Sequence, residues 1–302
     1  MRCFKHPAAI IVIAVGVALL VLWFSGVSDK EAIDIAKKFY QKTGVRVASE
    51  PWVDSYRLIE LVTGRKEVVV GERGHFSLLT SVSTKAEEVV LFSNSILLPT
   101  MLKWKRAAAE KQKQVALSEA EAKEAILRLA SRIGLPGDFE LDSIRLDKEY
   151  GLWGGYWKRK YRGYPFENDS ISIRIIAGDG EFYSYGKSFS GRPCPTEVAV
   201  TRENSMEVAR KKVYSLLSDE RAKKHLPDYV VSSPELKIVQ PNVIFGWFSP
   251  YHRANSRLAW VVVYTLSDSK YDLAIGDVNF AERFVIKIDA ATGKVIGGSS
   301  AR

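Results

Sequence analysis

The chain has 302 residues, of which 46% are hydrophobic, with a formal net charge of +9 and two cysteines. That apolar fraction excludes a disordered chain, and two cysteines exclude a scaffold built on disulfides. The positive charge suits anionic surfaces, but no basic-aromatic RNA-binding signature is present, so nucleic acid is not the expected partner.

The length is enough for about two domains or several small units. In chain order, Arg2 and Lys5 precede an unbroken apolar run, Ala8–Phe24. Such a run is within reach of a bilayer span. Positive charge before it and Asp29, Glu31 and Asp34 after it place residues 1–7 in the cytoplasm and the bulk outside. An uncleaved anchor and a cleaved signal peptide both stay open, although bulky Trp23 and Phe24 stand where cleavage wants small residues. Cys3 and Cys194 flank this run, so no disulfide between them is expected.

Three helices are expected to start at capping boxes: Ser28 with Glu31, Ser118 with Glu121, and Asn204 with Glu207. Their apolar faces are Ala32, Ile35, Ala36 and Phe39; Ala122, Ala125, Ile126, Leu129, Ala130 and Ile133; and Met206, Ala209, Val213, Leu216 and Leu217. Gly44 and Gly134 supply C-terminal stops. A Trp-x-x-x-Tyr spacing, which puts both rings on one face of a strand, follows each helix: Trp52 and Tyr56, Trp157 and Tyr161, Trp260 and Tyr264.

Each unit then ends in a hairpin. In Phe284–Ile296, Phe284, Ile286 and Ile288 alternate, and Asp289 and Gly293 form the turn. Ile171–Tyr183 repeats the pattern with Gly180 in the place of Gly293. An eroded copy lies at Leu78–Val90, where Glu87 replaces the glycine. The expected organisation is therefore a unit over 28–100, a basic helical connector over 101–117, and units over 118–190 and 201–299. The expected fold class is α+β: repeated small units of one helix on an antiparallel sheet, preceded by a single transmembrane helix.

Chemical motifs are few. The four histidines have no metal-ligand spacing, so no metal or cofactor is expected. Gly186-Lys187-Ser188 resembles the end of a P-loop without its spacing, and Cys194 between Pro193 and Pro195 suits an inert thiol more than a nucleophile. No catalytic residue is assigned. Asp289, Gly293 and Gly180 are read as structural turn residues. One candidate contact surface for an anionic polymer or headgroup stands out: Trp157, Lys158, Arg159, Lys160, Tyr161 and Arg162. Its plainer reading is a strand with aromatics inward and charges in water.

The helix, the strand Trp260-Val-Val-Val-Tyr264 and the run Phe284-Val-Ile-Lys-Ile-Asp-Ala-Ala-Thr-Gly-Lys-Val-Ile together resemble the PepSY domain family, best over 204–298 and less closely over 118–190. The resemblance implies a non-enzymatic extracytoplasmic module, membrane-anchored, that binds or inhibits a protease or regulates envelope proteins. The competing expectations are a scaffold for an anionic envelope polymer or membrane surface, and a hydrolase using Cys194 or a histidine.

Overall fold

The structure is a computed structural model that describes residues 27–60, 65–72, 75–83, 86–110, 116–189, 191–217, 220–242, 255–267 and 281–301. The expected anchor Ala8–Phe24, Cys3, His252 and the aromatic loop Phe245–Tyr251 lie outside these residues. The described helices are α1 (Asp29–Thr43), α2 (Leu98–Ala109), α3 (Glu119–Ile133), α4 (Arg202–Leu216) and α5 (Glu220–Lys224). The strands are β1 (Pro51–Glu60), β2 (Arg65–Glu72), β3 (His75–Ser83), β4 (Glu88–Asn94), β5 (Phe139–Asp147), β6 (Leu152–Tyr161), β7 (Tyr164–Ile176) and β8 (Phe182–Ser188), then β9 (Tyr229–Val231), β10 (Glu235–Val239), β11 (Arg257–Leu266), β12 (Arg283–Asp289) and β13 (Val295–Ala301).

The chain divides into two compact units. The first comprises Met1–Leu135, Asp142–Tyr156 and Ile171–Lys187, and the second Pro136–Leu141, Trp157–Ser170 and Ser188–Arg302. In the first, β1, β2, β3, β4 and β8 are successive neighbours, followed by the C-terminal part of β7. In the second, β10, β11, β12 and β13 are successive neighbours, and β9 lies beside β11.

Local chemistry sets the helix ends. The Ser28 hydroxyl accepts the Glu31 N–H at 3.4 Å, and the Glu31 carboxylate accepts the Ser28 N–H at 2.8 Å. The Ser28 N–H and, second, the Ser28 hydroxyl at 2.7 Å donate to the Glu31 carboxylate and hold its carboxyl below its usual range. Ser118 and Glu121 make the same reciprocal pair. The third helix differs from expectation. Its N-cap is Thr201, whose hydroxyl accepts the N–H of Asn204 at 3.2 Å, so Asn204 sits inside the helix. A Thr three residues upstream provides the same bond, and threonine is a competent cap. Gly44 and Gly134 end α1 and α3 with left-handed φ of 75° and 80°.

A recurring contact ties helix to sheet. In the first unit the N–H of Leu117, just before the Ser118 cap, donates to Ala177 O at 2.7 Å, and Leu117 O accepts the Trp153 indole N–H at 3.1 Å. In the second, Val200 N–H donates to Ala290 O at 2.9 Å, and Val200 O accepts the Trp260 indole N–H at 2.9 Å. Ala177 and Ala290 each stand three residues before the turn glycine. Gly180 and Gly293 have φ of 76° and 72°, and their N–H groups close turns onto Ile176 O and Asp289 O. The counterpart of Trp260 is therefore Trp153, not Trp157. The Trp-x-x-x-Tyr spacing selected the wrong tryptophan because two lie four residues apart on β6 and share a face. The eroded copy keeps the turn as well. Glu87 takes φ 53°, and its N–H donates to Ser83 O at 2.9 Å.

Burial follows the alternation. Ile171, Ile173 and Ile175 are buried, as are Phe284, Ile286 and Ile288. Ala209 and Val213 of α4 pack into the cluster of Val262, Tyr264, Phe284, Ile286 and Ile288. In the first unit Phe39 of α1 lies within 6.2 Å of the rings of Phe92, Phe182 and Tyr185.

The expected α+β class of small helix-on-antiparallel-sheet units is corrected. Strand dominates: thirteen strands stand against five α-helices among the described residues. The pairing is mixed, because β7 and β10 run parallel at Phe166 and Ile238. β5, β6 and β7 each have residues in both units, so the unit boundaries do not follow the expected 118–190 and 201–299. Alternation reveals which face of a strand is buried, but not its partner or direction. No helix among the described residues is long and apolar enough to cross a membrane.

The turn geometry yields a test. Gly293→Val puts a β-branched residue at φ 72° and is expected to cost about 1–3 kcal/mol. Lys294→Ala is expected to stay within about 0.5 kcal/mol of wild type. Glu87→Gly, which relieves the same strain in the third turn, is expected not to lower the melting temperature. Thermal unfolding of the whole chain separates them, and equal melting of Gly293→Val and wild type contradicts the assignment.

Candidate functional site

The six residues of the expected contact surface divide in the structure. Trp157 and Arg159 point to the same face of β6 and both are buried. The Arg159 guanidinium donates from Nε to Asp138 Oδ2 at 2.5 Å, and from one terminal nitrogen to Asp169 Oδ2 at 3.0 Å and Gly191 O at 2.8 Å. The Phe166 and Phe189 rings lie 4.4 and 4.2 Å from its charge centre. Asp169 also accepts the Gly191 N–H, and a Cβ on Gly191 would meet the Phe166 ring at 2.2 Å. Arg159 thus fastens the segment around Gly191 to the sheet.

The other cations are placed differently. Lys160 pairs across strands with Glu140 at 2.5 Å, and Lys158 is exposed. Arg162 and Gly163 form the two-residue turn between β6 and β7 with φ of 50° and 85°, the combination a type I′ hairpin requires. The Arg162 guanidinium lies 5.4 Å from the Tyr161 ring. The six are therefore a buried anchor, a cross-strand pair, a turn and an exposed lysine. Period-2 spacing alone puts Arg159 beside Trp157, but its partners Asp138 and Asp169 are only brought near by the fold.

Asp289, a turn residue, accepts N–H bonds from Ala291 at 3.1 Å and Thr292 at 2.8 Å, and the Thr292 hydroxyl at 3.0 Å. Cys194 is buried among Phe166, Ile238, Leu258 and Ala290. Burial pushes its thiol up, against a weaker opposing effect of Arg257. His225 Nδ1 lies 2.7 Å from Asp228 Oδ2. Lys187, from the P-loop-like tripeptide, is on β8 and pairs with Glu88 at 2.7 Å. Among the described residues no cluster of three or more His, Cys, Asp or Glu could hold a metal.

An open groove of about 420 Å³ lies in the second unit between α4 and β9. Met206, Leu226, Pro227, Tyr229, Val231 and Tyr264 give it an apolar floor, and Glu207 and Arg210 stand at it. Burial raises the phenol of Tyr229 to about 12, and its hydroxyl donates to Ala281 O at 2.7 Å. Burial also raises Tyr264, which the Arg210 charge partly offsets. Both rings therefore stay neutral at physiological pH. β9 pairs with β11 alone among the described strands, and Val230 on it is 64% exposed. Sequence periodicity put Met206 on the inner face of its helix; it is exposed and borders the groove instead. β9 was missed because three residues are too short to show alternation.

No family model matches this chain, and no curated protein matches it. Among solved structures it is similar to the Bacillus megaterium YpeB C-terminal domain. The TM-score is 0.44 with 9% identity, over 92% of this chain and 99% of that one. A likeness at this level establishes neither a family nor a function.

The buried guanidinium makes a sharp contrast with its exposed neighbours. Arg159→Met leaves Asp169 buried without its cation and is expected to cost about 3–5 kcal/mol. Lys158→Ala, on the opposite face, is expected to change stability by less than about 0.5 kcal/mol. Denaturant unfolding of both variants measures this, and equal midpoints contradict a structural role for Arg159.

Proposed function

We propose that this chain is a non-catalytic binding and regulatory module acting outside the cytoplasm, and that the groove beside β9 holds an extended apolar segment of a protein partner. One observation carries the reading. An apolar groove lies next to a short strand that has a single neighbour among the described strands. An extended segment added to such an edge gains main-chain hydrogen bonds, and alternate side chains enter the groove. Met206, Leu226 and Val231 suit aliphatic or aromatic side chains, and Arg210 suits a carboxylate at the rim. The burial of Cys194 among apolar side chains supports a non-enzymatic role over a hydrolase that uses this thiol. The PepSY resemblance of the turn residues supports a protease, or a segment that a protease cuts, as the partner class. The extracytoplasmic location follows from the charge pattern around Ala8–Phe24.

A photocrosslinking residue placed at Val231 in the full-length chain tests this. The expected result is an adduct with a defined protein, lost when Met206→Glu is added while the melting temperature is kept. The same residue at Lys158 is expected to give no such adduct. Adducts at Lys158 and none at Val231 overturn the reading, as does a C-terminal reporter that is active only in the cytoplasm.

A further inference from the structure

Helix α2 is held by one face and presents another of unusual composition. Inward, Leu97 and Met101 are buried with Leu152 and Ile176. The Trp104 indole N–H donates to Lys148 O at 3.2 Å. Its ring covers Gly151, where an added Cβ would meet the ring at 2.1 Å. Gly151 also has φ 64°, so only glycine suits both the backbone and the ring. These contacts fix the rotation of the helix about its own axis.

That rotation turns Leu98 and Leu102 outward, each 46% exposed, with Arg106 a further turn along the same face. Ile96, in the 3₁₀ turn that leads into the helix, is 53% exposed. Lys103 lies beside the leucine stripe, and Lys105 flanks its other side. Lys105 pairs with Glu149 at 2.9 Å and lies 4.7 Å from the ring centre of exposed Tyr150. The helix carries three cations and no acidic residue. A protein that merely needed a soluble helix surface would not require three aliphatic side chains among the cations.

We propose that this face of α2 docks on an anionic phospholipid bilayer. The aliphatic side chains enter the headgroup boundary while Lys103 and Arg106 pair with lipid phosphates, and Tyr150, held by Lys105, lies at the interface. Charge complementarity selects this occupant: the charged residues of the helix are all cations. Two signals are needed, and this face supplies both. The surface is independent of the groove beside β9 and is tested separately from it.

The experiment uses the full-length chain with Cys3→Ser and Leu102→Cys, labelled at residue 102 with an environment-sensitive fluorophore. Cys194 is buried and its thiol is pushed up, so labelling is selective. The probe is read with vesicles of phosphatidylcholine alone or with 30% phosphatidylglycerol, each also carrying brominated chains. The expected result is a blue shift and bromine quenching only with the anionic vesicles, weakened by salt. Each charge removed, as in Lys103→Gln or Arg106→Gln, is expected to weaken the response about fivefold. The same label at exposed Glu124 on α3 is expected to stay water-like. A water-like probe at residue 102 in anionic vesicles overturns the proposal. Equal quenching in both vesicle types overturns the anionic requirement. A larger response to soluble polyglutamate than to vesicles assigns the face to an acidic polymer instead.

Discussion

The interaction on which the described architecture rests is the closure of a backbone segment between helix and turn. The residue before the helix cap, Leu117 or Val200, donates to a turn alanine and accepts an indole N–H from the sheet. This satisfies the backbone N–H and C=O of a residue that neither helix nor strand would pair. It also fixes where the helix begins over its strands, because the capping side chain follows one residue later. The left-handed turn residue is what brings the alanine carbonyl to that point, so the glycine and the tryptophan are parts of one device. The side chains agree with this: a Cβ added at Gly180 would meet Leu117 at 3.3 Å, and one added at Gly293 would meet Val200 at 3.5 Å.

Much of this was legible in the sequence, and the omissions have physical causes. The two Ser-Glu capping boxes, the helix-stopping glycines and the turn residues are local features, encoded within four or five residues. The Thr201 cap was hidden by Asn204, a plausible cap three residues on. Trp153 was hidden by Trp157, which fits a spacing that any strand face allows. The mixed pairing of β7 with β10 joins Phe166 to Ile238, and nothing in either strand encodes that partner. Arg159 shows the same limit at a single side chain. Its alternation was visible, but carboxylates 21 residues before it and 10 residues after it decide whether it faces water. The groove beside β9 was not legible because its residues come from three segments, none of which is distinctive alone.

The functional reading rests on how the chemically versatile groups are used. Arg159, Lys160, Lys187 and His225 each have carboxylate partners, and Cys194 is packed among apolar side chains. The two surfaces proposed for a partner, among the described residues, are an apolar groove beside a strand edge in the second unit and a basic aliphatic helix face in the first. Recognition by these means depends on shape, main-chain pairing and charge. Neither requires a reactive nucleophile or a bound ion.

The most direct test of the account is native-state hydrogen exchange at the amides of Leu117 and Val200. If the closure is a structural keystone, both exchange as slowly as the buried strand amides of Ile173 and Ile286, although both lie outside helix and strand. Removing the indole donor with Trp153→Phe then speeds exchange at Leu117 by about tenfold, the loss expected when one hydrogen bond of roughly 1.4 kcal/mol is broken; Trp260→Phe does the same at Val200. Exchange of the wild-type amides at the rate of an exposed loop would contradict the account.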